Sequence, residues 1–302
     1  MGLDAIEKNV HANGLRLTYF ERGIAFKGKK PTLLFLHATG FHARVWDKIV
    51  DGLGDFHSIS VDQRGHGRTE KKIITHWDEV IEDLTGLIET LDLKNIVGIG
   101  HSMGGHVLIG AASRMEDRFK SLVTIDPVIH AENLFDETAG MEGNPEDHPT
   151  ARRRREFASP EEMADRLRDK GSFGLFDPEM LMDYCRYGLL PNEAGPGYVL
   201  ACPPEVEASV YMSSRSNARI YKAVRSLKIP VVILRAKEPS PDRNIMDFSS
   251  SPTWPGLVHE FANARELYFP DKTHFIPMQI PETVIEVIEE EVNKILRLGE
   301  QP

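Results

Sequence analysis

The sequence predicts an α/β fold, a doubly wound, mostly parallel eight-stranded sheet with helices on both faces and a helical cap inserted mid-chain. Three observations predict it. Short, unbroken apolar runs recur along the 302 residues, as strands buried on both faces of a parallel sheet require. Amphipathic helical patterns separate these runs, giving the strand and helix alternation of a layered α/β architecture. The alternation stops after residue 127 and resumes after about residue 213, so an insertion interrupts one core.

In order, Leu15 to Glu21 (LRLTYFE) roughly alternates after the turn Ala12-Asn13-Gly14 and reads as the second arm of an N-terminal hairpin at the sheet edge. Thr32 to His37, His57 to Asp62, Asn95 to Gly100 and Lys120 to Asp126 are the buried parallel strands. From Trp77 to Leu93 the residues Trp77, Val80, Ile81, Leu84, Leu87, Ile88 and Leu91 fall on one helical stripe. Residues 128–213 are rich in Pro, Gly, Met and charge, with short helical pieces such as Pro160 to Asp169; they form the cap, and 1–127 with 214–302 form the core. Pro230 to Arg235 is a strand, a helix is expected around Gly256 to Ala262, and Glu266 to Phe269 is the last strand. A closing helix from Pro281 carries Val284, Ile288, Val292 and Ile295 on one face.

Composition excludes several classes. A net charge of −10 argues against nucleic acid and anionic membranes as partners, because counterion release needs clustered Lys and Arg. The one dense basic run, Arg152 to Arg155, reads as a solvated helix face, with an anion site as its alternative. The opening MGLDAIEKNV lacks a basic and then apolar leader pattern, and no apolar run is long enough to span a bilayer, so a cytoplasmic protein is expected. Cys185 and Cys202 are expected as free thiols. No metal and no cofactor is expected; the glycine-rich turn lacks both G-x-G-x-x-G spacing and a P-loop lysine.

That turn, Gly100-His101-Ser102-Met103-Gly104, follows a buried strand and fits G-x-S-x-G. Glycines there let a strand reverse sharply into a helix, so that Ser102 Oγ stands exposed at the carboxyl edge of the sheet. Met103 opens the helix, and its free N–H beside the positive helix end would stabilise an oxyanion. A plain Gly-Ser turn is the competing reading.

With this turn in place the chain resembles the α/β-hydrolase family over nearly its whole length apart from the insertion. His37-Ala38-Thr39-Gly40-Phe41 resembles the family's oxyanion loop, with Ala38 in place of the commoner glycine, and implies Thr39 as the second backbone donor. Trp46 stands where many members carry Trp, and Asp62-Gln63-Arg64-Gly65-His66-Gly67-Arg68 resembles a structural turn in which His66 has no catalytic role. His274 follows the last strand, where the family keeps its histidine, and is the expected general base among twelve histidines. His37, His42, His101 and Trp46 are placed near the substrate pocket as lining or orienting residues.

Two positions compete for the acid that holds the base. Asp126 closes the strand after Ser102, resembling the family subgroup with its acid there, and a carboxylate ending an apolar strand needs a partner. Glu238 follows the next strand, with Asp242 and Asp247 farther along. Asp126 is preferred.

A serine nucleophile implies an acyl intermediate, whereas epoxide and halide chemistry in this family uses aspartate. The expected activity is hydrolysis of a small, partly apolar ester or lactone, with the cap residues Phe173, Leu175, Phe176, Met180, Leu181, Met182, Tyr184, Tyr187, Leu189 and Leu190 divided between substrate contact and cap packing. Carbon–carbon bond hydrolysis, acyl transfer and a non-enzymatic sensor on the same scaffold remain alternatives, and cofactor-free peroxidase-like chemistry ranks below them. A homodimer is compatible with the sequence.

Overall fold

The computed structural model describes residues 4–135, 141–240 and 247–299. Asp242 lies outside them. Strands β1 (Ile6–Ala12) and β2 (Leu15–Arg22) form the N-terminal hairpin, with Asn13 and Gly14 both at positive φ in the turn. Then follow β3 (Thr32–Leu36), α1 (Asp47–Leu53), β4 (Ser58–Asp62), α2 (Trp77–Thr90), β5 (Ile96–His101), α3 (Met103–Arg114) and β6 (Phe119–Ile125).

After β6 the chain leaves the core and builds β7 (Glu156–Phe157), α4 (Pro160–Leu167), α5 (Pro178–Tyr187), β8 (Leu189–Pro191), β9 (Tyr198–Leu200) and α6 (Pro204–Met212). It returns through α7 (Ile220–Ser226), β10 (Val231–Ala236), β11 (Ala264–Phe269), the short α8 (Ile276–Gln279) and α9 (Pro281–Gly299).

The main sheet has eight strands in the order β1-β2-β4-β3-β5-β6-β10-β11. Only the β1/β2 and β2/β4 pairs are antiparallel; the other pairs are parallel. The chain steps from β3 outward to β4 and then back across to β5, so the topology reverses between β3 and β5. In open α/β sheets ligands gather beyond the carboxyl ends of strands at such a reversal.

Apolar side chains explain the two covering layers. Trp77, Val80, Ile81, Leu84, Leu87 and Ile88 of α2 pack with α3 and α7 on one face, and α1 and α9 bury Ile49, Val284, Ile288 and Val292 on the other. The start of α2 is set by His76, whose Nδ1 accepts the Asp78 N–H at 3.0 Å, and by acids in the first turn that suit the helix dipole.

Two details differ from expectation. The cap is mostly helical but also carries a three-stranded antiparallel sheet, β7-β9-β8, whose strands of two or three residues are too short to show a period in the sequence. The helix expected around 256–262 is one 3-10 turn, Leu257–Glu260, because Phe261 is already extended on the way into β11. Among the described residues no helix is long and apolar enough to cross a membrane.

Candidate active site

Ser102 sits between β5 and α3 with φ 59° and ψ −120°, a strained backbone for a residue with a side chain. The strain is imposed by close packing around the turn. A Cβ on Gly100 would lie 2.6 Å from the Gly104 carbonyl oxygen, and one on Gly104 would lie 2.4 Å from that of Leu36. Strand, turn and helix thus approach more closely than any larger residue allows. The Met103 and Gly104 amides open α3, at the end of a helix where N–H groups have no partner within the helix.

His274 follows β11, and its Nε2 lies 2.9 Å from Ser102 Oγ. Its Nδ1 lies 2.7 Å from Asp126 Oδ2. Asp126 is fully buried at the end of β6, itself at positive φ. Its Oδ1 accepts the Ala236 N–H at 3.0 Å and the Ser251 hydroxyl at 2.5 Å, with Thr253 Oγ1 at 3.4 Å. Both carboxylate oxygens are thus hydrogen-bonded, Oδ2 to His274 and Oδ1 to Ala236 and Ser251, as a buried charge demands. Glu238 is elsewhere: its side chain is more than half exposed and it pairs with Arg235. Of the two expected acids, the structure brings only Asp126 to the histidine.

The oxyanion loop is held from beneath by two neutral histidines. The Gln63 N–H donates to His37 Nε2 at 3.0 Å, which leaves Nδ1–H to donate to the Ala38 carbonyl at 2.8 Å. The Gly40 N–H donates to His66 Nε2 at 3.0 Å, and His66 Nδ1–H donates to the Arg64 carbonyl at 2.8 Å. Burial pushes His37 well below the ordinary histidine pKa and His66 down to about 4, so both stay uncharged at neutral pH. Thr39, between the two anchored residues, lines the cavity above Ser102.

The substrate-binding expectation for His37, His42, His101 and Trp46 needs correction. All four are 1% exposed or less, and none lines the cavity over Ser102. His42 Nε2 bonds the Tyr184 carbonyl at 3.1 Å, and Trp46 packs on Phe35 in the core. His101 Nε2 lies 2.8 Å from the His274 carbonyl oxygen. Burial, and then the neighbouring His274, hold its pKa well below the usual value, so it is a neutral donor. These residues support the site from behind.

The cavity has a volume of about 580 Å³, within the range of small-molecule sites. One wall is aromatic: Phe275 stacks on both Phe41 and Phe173, and Phe248 stacks on His274 at 5.7 Å. Of the ten apolar cap residues singled out in the sequence, Phe173, Leu175 and Tyr184 line it. The other wall is polar, with Arg153, Glu207 and Tyr211. Arg152 to Arg155 is accordingly not one solvated helix face. Arg154 and Arg155 pair outward with Glu162 and Glu205, while Arg153 turns inward to Glu207. Among the described residues no group of three or more His, Cys, Asp or Glu converges as a metal site would need.

Sequence reasoning missed Phe248, Glu207 and Tyr211. Each comes from a segment whose pattern carries no signal for the cavity; only Arg153, inside the conspicuous basic run, had a visible mark.

Comparison with known proteins agrees with this architecture. A 2-(acetamidomethylene)succinate hydrolase of Mesorhizobium japonicum is 36% identical over 112 residues, 36% of this chain and 40% of that protein. Esterase YbfF of Escherichia coli is 30% identical over 76 residues, 25% of this chain and 30% of that protein. The chain thus aligns with less than half the length of these curated relatives. The crystal structure of an E-2-(acetamidomethylene)succinate hydrolase superposes with a TM-score of 0.75 at 22% identity, covering 96% of this chain and 100% of that one. The enol-lactonase from Burkholderia xenovorans gives 0.64 at 18% identity, with 95% and 100% covered. At such identities the structures speak for the fold. The model of the alpha/beta hydrolase family matches residues 33–287, and with the sheet order and the turn at Ser102 on the same chain, the protein belongs to the alpha/beta hydrolase family.

Proposed function

We propose that the protein is a serine hydrolase that cleaves carboxylic esters or lactones through an acyl-enzyme on Ser102. The observation that carries this reading is the continuous relay from Ser102 Oγ to His274 Nε2 and from His274 Nδ1 to Asp126 Oδ2, at 2.9 and 2.7 Å. Distances of this size place the base within reach of the proton it must take.

In the reaction, His274 Nε2 takes the Ser102 hydroxyl proton as Oγ attacks the carbonyl carbon. The resulting oxyanion is received by the backbone N–H groups of Thr39 and Met103. Collapse breaks the carbon–oxygen bond to the leaving group, which takes the proton from His274. Water then repeats the sequence, giving its proton to His274 and releasing the acid from Ser102. Asp126 holds Nδ1–H and favours the imidazolium formed in each half. The polar frame around Asp126 fixes that orientation before substrate arrives.

Names of relatives support hydrolysis and leave the bond type broad, since they include esterases and a 2-(acetamidomethylene)succinate hydrolase. The strained serine turn supports a nucleophilic role for Ser102, because backbone strain of this kind presents a nucleophile. The test is labelling by a fluorophosphonate probe read by intact mass. One adduct per chain is expected, absent in Ser102→Ala and greatly slowed in His274→Ala. A folded wild-type protein that stays unlabelled would overturn the reading.

A further inference from the structure

We infer that the active cavity contains an anion subsite, formed by Arg153 with Lys170, that selects substrates bearing a second, short carboxylate; this rests on the serine-hydrolase reading above. Arg153 lines the same cavity as Ser102 and His274. Its side chain remains 29% exposed, whereas that of its partner Glu207 is 8% exposed. Both side chains line the cavity, and the guanidinium is the more exposed member of the pair.

Glu207 serves as a fixed mount for the arginine. Its Oε2 accepts from Arg153 Nη1, and its Oε1 accepts from the Tyr211 hydroxyl at 3.3 Å. Burial alone would lower the arginine's pKa, yet contacts with Tyr184 and Glu207 outweigh it and keep the guanidinium charged. One carboxylate and one phenol do not exhaust a fork of five N–H donors, and the planar fork suits a ligand carboxylate.

A pair of this kind is an expensive way to stabilise a cap. A buried ion pair is often no better than apolar packing of the same volume, and apolar packing is what the aromatic wall of this cavity uses. Lys170 brings a second positive charge to the lining, and among the described residues it forms no ion pair. Asp247 also lines the cavity, with its Oδ1 accepting the Ser249 N–H at 2.9 Å.

Position sets the length of the ligand. A Cβ on Gly40 would lie 2.8 Å from Glu207 Oε1, so the pair abuts the residue that follows Thr39 in the oxyanion loop. The guanidinium, bonded to that acid, stands on the cavity wall on the side of the oxyanion loop. A half-ester of a short dicarboxylic acid would place its carboxylate on this wall and its methylenes against the aromatic one.

The experiment compares monomethyl glutarate with methyl pentanoate, equal in length and differing in the terminal carboxylate, by titrating released acid. In parallel, glutarate and its neutral diamide are tested for calorimetric binding to Ser102→Ala. A preference of about 100-fold in kcat/KM for the anionic ester is expected, about the worth of one charge-assisted pair. Arg153→Gln should collapse that ratio about tenfold or more, chiefly through KM. Lys170→Gln, on an exposed side chain that cannot jeopardise folding, should reduce it severalfold. Glutarate should bind Ser102→Ala and the diamide should not.

Preference for the neutral ester, or equal binding of glutarate and the diamide, would overturn the subsite. Failure to turn over either ester while glutarate still binds would instead sink the hydrolase reading and leave the anion subsite standing.

Discussion

His101 Nε2 lies 2.8 Å from the main-chain carbonyl oxygen of His274, so the residue before the serine anchors the backbone of the residue that faces the serine hydroxyl. Ser102 and His274 come from loops far apart in sequence, and this bond ties the two loops together on the side away from the cavity. His101 is a positioning residue.

His101→Leu should leave the His274 carbonyl buried and without its donor, at a cost of about 1–3 kcal/mol. Activity should fall about tenfold, with the pH profile of kcat/KM altered because the imidazole is no longer held. His101→Gln, which keeps a donor, should recover part of both. Equal losses in Leu and Gln variants, with an unchanged pH profile, would reduce His101 to packing.

Asp126→Asn should lower kcat about 10³- to 10⁴-fold, because an amide cannot stabilise the imidazolium or hold its tautomer. Glu238→Gln should stay within about twofold, since among the described residues the exposed Glu238 pairs with Arg235 and its N–H meets Tyr268 of β11. Steady-state kinetics on any turned-over ester decides between them.

Gly104→Ala should destabilise the fold by several kcal/mol, about 3 or more. Its Cβ would meet main-chain atoms of Leu36 and His37, and backbone in the middle of a sheet cannot retreat as a side-chain tip can. Urea unfolding measures it; a loss under about 1 kcal/mol would mean that the turn can open.

Stability should decline as the pH falls below about 6.5. His66 and His42 are buried neutral, with pKa values lowered to about 4 and about 3. The unfolded chain binds protons at these residues near pH 6.5 and the folded chain does not. Their contribution is complete above the unfolded value and is lost as the pH falls toward the folded one. Each histidine adds up to about 1.4 kcal/mol per pH unit to the slope in that window. Chemical denaturation from pH 7.5 to 4.5 tests it, and His66→Gln should flatten the slope.

The sheet strands and the relay were legible in the sequence for related reasons. Strands such as Thr32–Leu36 and Ile96–His101 are buried on both faces, so their apolar runs are unbroken, and the residues that close them stand out as polar. Ser102 and Asp126 directly follow such strands, β5 and β6, whereas His274 lies on the loop beyond β11, whose residues are only partly buried. The pocket was less legible because sequence proximity does not say which way a side chain points. Along a strand successive side chains alternate, so His101 faces away from the cavity that Ser102 enters. The lining from Glu207, Tyr211 and Phe248 comes together only when the cap folds over the core, and no periodicity records that meeting.

The aromatic wall has one more consequence. Phe41 and Phe275 belong to the core, Phe173, Phe176 and Tyr184 to the cap, and their rings share one apolar cluster with α1 and α9. A cap fused to its base in this way cannot swing aside like a hinged lid without tearing open the protein's own interior. Any opening of the cap would therefore expose the rings that the two parts share.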